Sequence, residues 1–375
     1  MELKECRALL DGIDRQMAEL FEKRMGLSEE VARVKLENGM SVLDREREKA
    51  KLESVRAMAH TPFNAVALEE LYRHIMSISR KRQYGMMEEE GIRGKLPFQE
   101  IGGIEKEGAR AVFQGTEGAY SQEALLAFFG EGVKASPVET FRDAMSIIDE
   151  GAADYAVLPI ENSSAGIVSQ NYDLLVQYEN YIVAEQVIPI RHCLLGLPGA
   201  SEEDIKNVYS HPQALMQCGE YLEGHRQILA HPLENTAVAA RLVRDRQDRT
   251  AAAIASRHCA SLYGLEVLRE DLNTNAENST RFIIVTNQKV FVKGAGKVSI
   301  CFELPHESGS LYHVLSHFYY NGLNMNRIES RPIPGRPWEY RFFIDFEGNL
   351  SEGAVRNALH ALREETVNMK ILGNY

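Results

Sequence analysis

From residue 3 to residue 34, apolar positions step alternately by three and four: Leu3, Cys6, Leu10, Ile13, Met17 and Leu20, then Arg24, then Leu27, Val31 and Val34. A seam of that spacing, held for more than four heptads, predicts one long helix made to face another. At 1.5 Å per residue it would reach roughly 50 Å. That is too long for a compact helical monomer of about 85 residues. Two shorter helices are expected behind it, one capped by Asp44 and running to about residue 59 ahead of Pro62, the other over about 65–83. Residues 1–84 therefore read as an all-α, three-helix segment that buries its seam as an intertwined homodimer.

The pattern then changes twice. Residues 85–108 carry no period; Gly85, Gly91, Gly94, Gly102, Gly103 and Gly108 punctuate an acidic stretch containing Glu88-Glu89-Glu90, which reads as a linker. From residue 109 to about 290, short apolar runs at 111–113, 155–160, 181–190, 207–209, 228–230 and 282–286 alternate with amphipathic helical patterns such as 140–150 and 212–222. This predicts an α/β domain on a mostly parallel sheet. Residues 291–375 read strand (298–304), helix (310–321), strand (324–331), strand (339–346), helix (351–365), strand (368–372), an order that suits an α+β ferredoxin-like sandwich.

Composition narrows the function classes. A length of 375 residues fits several domains, and a formal net charge of −12 argues against a nucleic-acid partner. It leaves small anionic substrates open, because a pocket's local charge can oppose the global sign. No apolar run approaches a membrane span, and the acidic, helical start is unlike a secretory signal. Cys6, Cys193, Cys218, Cys259 and Cys301 are scattered and odd in number, which argues against a disulfide framework and a zinc site and for a reducing, cytoplasmic setting.

Arg24 interrupts the apolar seam. It can be a snorkelling or register-setting side chain, or part of an anion site. Lys35 lies eleven residues on, about 20° around the same helix, whereas Arg7 points about 100° away and could serve a partner's pocket. Basic groups gathered inside a bundle are costly unless an anion compensates them. With Val42-Leu43-Asp44-Arg45-Glu46-Arg47-Glu48 following, and Ser79 and Gln83 on the third helix, the segment resembles AroQ-type chorismate mutases. The resemblance implies that Arg24, Arg47 and a partner's Arg7 hold the two carboxylates of chorismate. It implies that Lys35 and Gln83 donate to the ether oxygen, that Glu48 and the Asp44 region meet the ring hydroxyl, and that Ser79 lines the pocket. A Claisen rearrangement needs a compact conformer and relief of charge on the breaking ether oxygen, which positioned donors supply.

Polar residues also cluster at the ends of the expected α/β strands, where open sheets place ligands. Gly115-Thr116-Glu117-Gly118-Ala119-Tyr120-Ser121 opens a helix and could bind an anion or simply form a turn; it is not a dinucleotide fingerprint. Asn235 or Thr236 could serve only as helix caps, and His211 before Pro212 could merely close a turn. In order, that loop, Pro159-Ile160-Glu161-Asn162-Ser163, Tyr209-Ser210-His211-Pro212-Gln213, Leu262-Tyr263-Gly264-Leu265 and Thr280-Arg281-Phe282 resemble prephenate dehydratase across about 109–286. The resemblance implies a two-lobed fold akin to periplasmic binding proteins, with prephenate between the lobes. Thr280 becomes the leading catalytic residue and His211 the second choice as general acid. Ser121, Glu161, Asn162, Ser163, Ser210, Gln217, Glu234, Arg281 and Phe282 line or support the pocket.

The C-terminal order resembles an ACT domain, a small module that binds amino acids. Glu329-Ser330-Arg331-Pro332 carries the resemblance, together with Gly309-Ser310-Leu311, after which Tyr312 stands in place of a small residue. This implies phenylalanine as effector; a purely structural dimerisation module is the alternative. The combined expectation is a dimeric or tetrameric enzyme without cofactor or metal that turns chorismate into prephenate and prephenate into phenylpyruvate. A catalytically silent ligand sensor is the rival from another class. A fusion to prephenate dehydrogenase would require the dinucleotide fingerprint that is absent.

Overall fold

The computed structural model describes residues 1–90 and 96–375, which fall into two compact units: Met1–Leu96 with Phe302–Met369, and Pro97–Cys301 with Lys370–Tyr375. The first unit opens with three helices, α1 (Leu3–Glu37), α2 (Arg45–Ala57) and α3 (Pro62–Glu89). Glu2 and Glu5 form a capping box at the start of α1, and the Asp44 carboxylate accepts from the Arg47 backbone N–H at 3.0 Å to cap α2. The Thr61 hydroxyl accepts from Asn64 N–H at 3.1 Å ahead of α3. In the single chain the seam of α1 stays open to solvent, with Leu20 65% and Leu27 69% exposed.

Helix α3 overruns the expected linker, continuing through Gly85 to Glu89. Beyond residue 83 it still has an apolar face: Tyr84 is buried against Val42 and Ala361, and Met86 is buried. That burial outweighs the roughly 1 kcal/mol a helical glycine costs. Of the remaining linker positions, 91–95, with Gly91 and Gly94, lie outside the described residues. Gln99–Ile101 is a strand, paired in parallel with Val290–Val292.

The C-terminal elements follow the expected βαββαβ order along the chain: Lys297–Glu303, Ser310–Tyr320, Met325–Ile333, Arg336–Glu347, Gly353–Glu365 and Val367–Asn374. The two central strands form an antiparallel hairpin in which Arg331 faces Arg341. Within the first unit, Gly353–Glu365 packs on α3.

Besides the pair Gln99–Ile101 and Val290–Val292, the second unit holds two larger sheets. One runs Lys134–Val138, Arg110–Gln114, Tyr155–Asn162, Ser279–Thr286, Tyr181–Pro189, with the end of the last strand beside it. The other runs Glu266–Arg269, Cys193–Gly196, Ala251–Ala255, Asn207–Ser210, Leu229–Pro232. Both are mixed, which corrects the expected mostly parallel sheet. Ser279–Thr286 is antiparallel to both its neighbours, and so is Cys193–Gly196. The reason is connectivity: Ser279–Thr286 is reached on the way back from the other sheet, not by a helical crossover of the kind that makes neighbours parallel. Close approach fixes Gly373, where a Cβ would lie 2.1 Å from the Ile182 carbonyl oxygen.

Ala251–Ala255 is buried on both faces. Ala251, Ala253 and Ala255 enter one core with Ala237 and Val243, while Ala252 and Ile254 enter the other with Val208 and Leu194. The helix expected over 212–222 is two helices, Pro212–Gln217 and Gly219–Gly224, parted where Cys218 takes φ −106 and ψ 24 ahead of a glycine. Among the described residues no helix is long and apolar enough to cross a membrane.

Candidate active sites

The three helices of the first unit enclose a cavity of about 270 Å³. Arg24, Ser28 and Lys35 reach it from α1, Asp44, Arg47 and Glu48 from the start of α2, and Ser79, Arg80 and Gln83 from α3. The spacing Arg24, Ser28, Val31, Lys35 keeps one stripe of α1 on the cavity. Arg24 Nη1 donates to the Ser79 hydroxyl at 2.7 Å, which in turn donates to the Ile75 carbonyl at 2.9 Å. Lys35 Nζ donates to the Val42 carbonyl at 2.6 Å. These contacts hold two cations in place before any anion arrives. Asp44 both lines the cavity and caps α2, so its carboxylate is already engaged. Arg7 is exposed near the start of α1 and does not line this cavity.

Gln83 is buried, with its amide 3.0 Å from the Ser28 hydroxyl and its other amide atom without a partner. Because the two amide atoms are interchangeable by a flip, the Ser28 hydroxyl can donate to the Gln83 carbonyl and free the N–H₂ for a ligand. Sequence reasoning missed Ser28 and Arg80. The signal for Ser28 was its place four residues after Arg24 on the same stripe. Arg80 gave none, because its partners come from α2 and from the C-terminal helix.

In the second unit, Thr280 sits opposite Asn162 in the pairing of Ser279–Thr286 with Tyr155–Asn162. Asn162 Nδ2 lies 2.9 Å from Thr280 Oγ1, 2.9 Å from Asn278 Oδ1 and 3.1 Å from the Ser279 carbonyl. Its Oδ1 accepts from Ser164 and Ala165 N–H at 3.0 and 2.8 Å. An amide donating to Oγ1 turns the Thr280 proton away from Asn162 and makes that hydroxyl a better donor. Ser163 Oγ accepts from Ser279 N–H at 3.0 Å, and Glu161 pairs with Arg281 at 3.1 Å. Phe282, two residues on and so on the same face of the strand as Thr280, lies in the core with Phe113 and Val157.

The remaining positions divide between structure and availability. Ser121 donates to the Gln114 carbonyl. Ser210 is fully buried and donates to the Ile254 carbonyl at 2.6 Å, pinning two strands. His211 caps Pro212–Gln217, its Nδ1 accepting from Gln213 N–H at 3.1 Å, and burial pushes its pKa down. A neutral imidazole with Nδ1 accepting keeps its one proton on Nε2. Gln217 Oε1 lies 3.0 Å from Nε2 of the buried His192, whose pKa is also lowered by burial. Glu234 is exposed beside Asn235, which caps its helix by accepting from Val238 N–H at 2.7 Å.

The glycine loop has a packing role. Gly118 takes φ +89, and a Cβ there would meet Cys259 Sγ at 2.9 Å; Cys259 donates to the Gly118 carbonyl at 3.1 Å.

A type II chorismate mutase family model matches residues 6–84, and a prephenate dehydratase model matches residues 111–290. The chain is 31% identical over 379 residues to a bifunctional chorismate mutase/prephenate dehydratase of Aquifex aeolicus, covering 100% of this chain and 98% of that protein.

The chain belongs to the bifunctional chorismate mutase/prephenate dehydratase family.

Both enzyme activities, an isomerase and a carbon–oxygen lyase, therefore belong to one polypeptide. Among solved structures, a prephenate dehydratase from Arthrobacter aurescens in complex with L-Phe is 32% identical, with a TM-score of 0.66 over 71% of this chain and 89% of that one. A quorum-quenching acylase is 31% identical, with a TM-score of 0.65 over 70% of this chain and 96% of that one. In this family member, Gly309 takes φ +84 as N-cap of the helix Ser310–Tyr320, and Ser310 Oγ donates to the Glu307 carbonyl at 3.0 Å. Leu311 follows in the first turn of that helix. Glu329, Ser330, Arg331 and Pro332 lie on the strand Met325–Ile333, at the edge of its sheet.

Proposed function

We propose that the cavity of the first unit binds chorismate and rearranges it to prephenate, with Arg24, Arg47 and a partner's Arg7 on its carboxylates. The convergence of Arg24, Lys35 and Arg47 with the Gln83 amide, from three helices onto one cavity, carries this reading. In the rearrangement the ether C–O bond breaks as a C–C bond forms, with no proton transfer. Lys35 and Gln83 donate to the ether oxygen as negative charge builds there, while Glu48 accepts from the ring hydroxyl. Ser79 holds Arg24, and Asp44 holds the first turn of α2. The exposed seam of α1 supports an intertwined dimer that brings Arg7 to the second copy's cavity.

The second unit then dehydrates prephenate. The ring carboxylate leaves as carbon dioxide, its electron pair completes the aromatic ring, and the ring hydroxyl takes a proton from Thr280 and departs as water; solvent reprotonates Thr280. Asn162 orients Thr280, and Arg281 supplies positive charge beside Glu161. Ser163, Ser121, Gln217 and Glu234 support the pocket, and Ser210 and Phe282 act by fixing the strands beneath it. Two mixed sheets within this unit support a periplasmic-binding-protein-like arrangement with prephenate between the lobes.

Residues 291–375 serve as an ACT domain that binds phenylalanine through Gly309–Leu311 and Glu329–Pro332 and feeds back on the dehydratase. The L-Phe complex of the Arthrobacter relative supports this. The open sheet edge at Met325–Ile333 offers backbone groups to a second copy, in line with a dimer or tetramer. Residues 1–84, 109–290 and 291–375 are the three domains, in a cytoplasmic enzyme.

The deciding experiment supplies chorismate alone to wild type and to Lys35→Ala, following chorismate loss and phenylpyruvate formation. Losing one preorganised donor should lower the mutase rate by about 10²- to 10³-fold while added prephenate is still turned over. An unchanged mutase rate would remove the site assignment.

A further inference from the structure

Glu48 is one of two carboxylates in a cavity that Arg24, Lys35, Arg47 and Lys51 also line; the other, Asp44, is already engaged in capping α2. Left to itself, the Glu48 carboxylate would fold toward Arg24, Lys35 or Arg47 and neutralise the charge that a dianionic substrate needs. Arg80 prevents this from the other side: its Nη1 lies 2.5 and 2.6 Å from the two Glu48 carboxylate oxygens. Its Nη2 donates to Glu365 Oε1 at 2.7 Å, at the end of the helix Gly353–Glu365. Glu365 Oε2 in turn accepts from Nε2 of His317, fully buried on the helix Ser310–Tyr320, at 2.9 Å. The chain of contacts thus runs from the substrate cavity into the C-terminal segment.

The arrangement is a poor stabiliser. The Arg80 side chain is 10% exposed and its Nε is buried without a partner, and buried ion pairs are weak contributors to stability even when fully satisfied. Glu48 and Arg80 also line a second, larger cleft together with Ser310, His313 and Glu365. Their ion pair therefore lies on the wall shared by the two cavities.

We infer that Arg80 is a positioning residue for the mutase reaction, holding Glu48 toward the substrate hydroxyl and itself held by Glu365, so that the C-terminal segment completes the mutase site. The inference rests on the chorismate reading of that cavity. Each Glu48 oxygen keeps a lone pair for the ring hydroxyl while accepting from Arg80. Removing Arg80 therefore harms substrate binding first, because the released carboxylate competes for the cations.

The test uses the full-length chain, with mutase kinetics as readout and turnover of added prephenate as control. Arg80→Met should lower mutase kcat/KM about 10- to 100-fold, mainly through KM, and should add nothing to Glu48→Gln when the two are combined. Arg80→Lys should recover much of the loss, since an ammonium can still hold Glu48, and the near-isosteric Glu365→Gln should show a smaller loss of the same kind. Multiplicative effects of Arg80→Met and Glu48→Gln would overturn the inference, because Arg80 would then not act through Glu48. Should Arg80→Met fail to fold, an unchanged KM in Glu365→Gln overturns it equally. If Lys35→Ala also leaves the mutase intact, the cavity assignment has failed; if Lys35→Ala abolishes it while Arg80 and Glu48 act independently, only the positioning role has.

Discussion

Replacing Thr280 by valine removes one hydroxyl at nearly constant shape, and the surrounding hydrogen bonds separate its structural from its chemical cost. The Asn162 amide has two protons for three acceptors, at 2.9, 2.9 and 3.1 Å. Without Thr280 Oγ1, both protons still have acceptors in Asn278 and the Ser279 carbonyl, so no buried donor is orphaned. The stability cost should fall at the low end of a single hydrogen bond, about 0.5–1 kcal/mol, within the range of a small shift in Tm. Loss of a proton donor to the departing hydroxyl should instead lower dehydratase kcat about 10²- to 10⁴-fold. Asn162→Ala is the contrasting case: it strips five contacts, three from Nδ2 and two to Oδ1, and should cost several times as much stability. The assay gives Thr280→Val chorismate and follows prephenate accumulation and phenylpyruvate separately, so the mutase serves as an internal control. Phenylpyruvate formation within a few-fold of wild type, at unchanged Tm, would make Thr280 structural and move the test to His211.

Gln83→Glu should confine mutase activity to low pH, since an ionised carboxylate accepts but cannot donate to the ether oxygen; chorismate loss measured across pH on both proteins checks it, and a flat profile in the variant would take Gln83 off the breaking bond. Burial alone would raise the pKa of Glu365, but His317 and Arg80 hold it down to about 2, from an ordinary 4.5. A depressed carboxylate stabilises above its unfolded pKa and ceases to as pH falls through the folded one. Whatever stability ionised Glu365 contributes should therefore be lost as pH falls from about 4.5 through about 2, and acid unfolding of Glu365→Gln should lack that component. Phenylalanine should bind the full chain by calorimetry and slow the dehydratase; heat with tyrosine and none with phenylalanine would reassign the effector, with Tyr312 the first residue to examine.

Periodicity in the sequence located the three helices of the first segment, the alternating α/β elements and the βαββαβ order of the C-terminal segment, because each rests on local rules: side-chain period, a capping carboxylate at Asp44, a proline at 62. It also placed Arg24, Lys35, Asp44, Arg47, Glu48, Ser79 and Gln83 together, since helical geometry and the resemblance to a known family fix which residues share a stripe. What it could not determine depended on partners distant in the chain. Ala251–Ala255 has no alternation to detect, because both its faces are buried and alanine carries no strand preference. The mixed sheets follow from the chain's return through Ser279–Thr286, and α3 outlasts Gly85 because Tyr84 finds Val42 and Ala361. The tertiary structure alone gives Ser210 its bond to the Ile254 carbonyl and the Gly118 carbonyl its contact with Cys259. Only the tertiary structure joined Glu48 to Glu365 through Arg80, a contact spanning 285 positions of sequence between Arg80 and Glu365, for which neither spacing nor composition carries a signal.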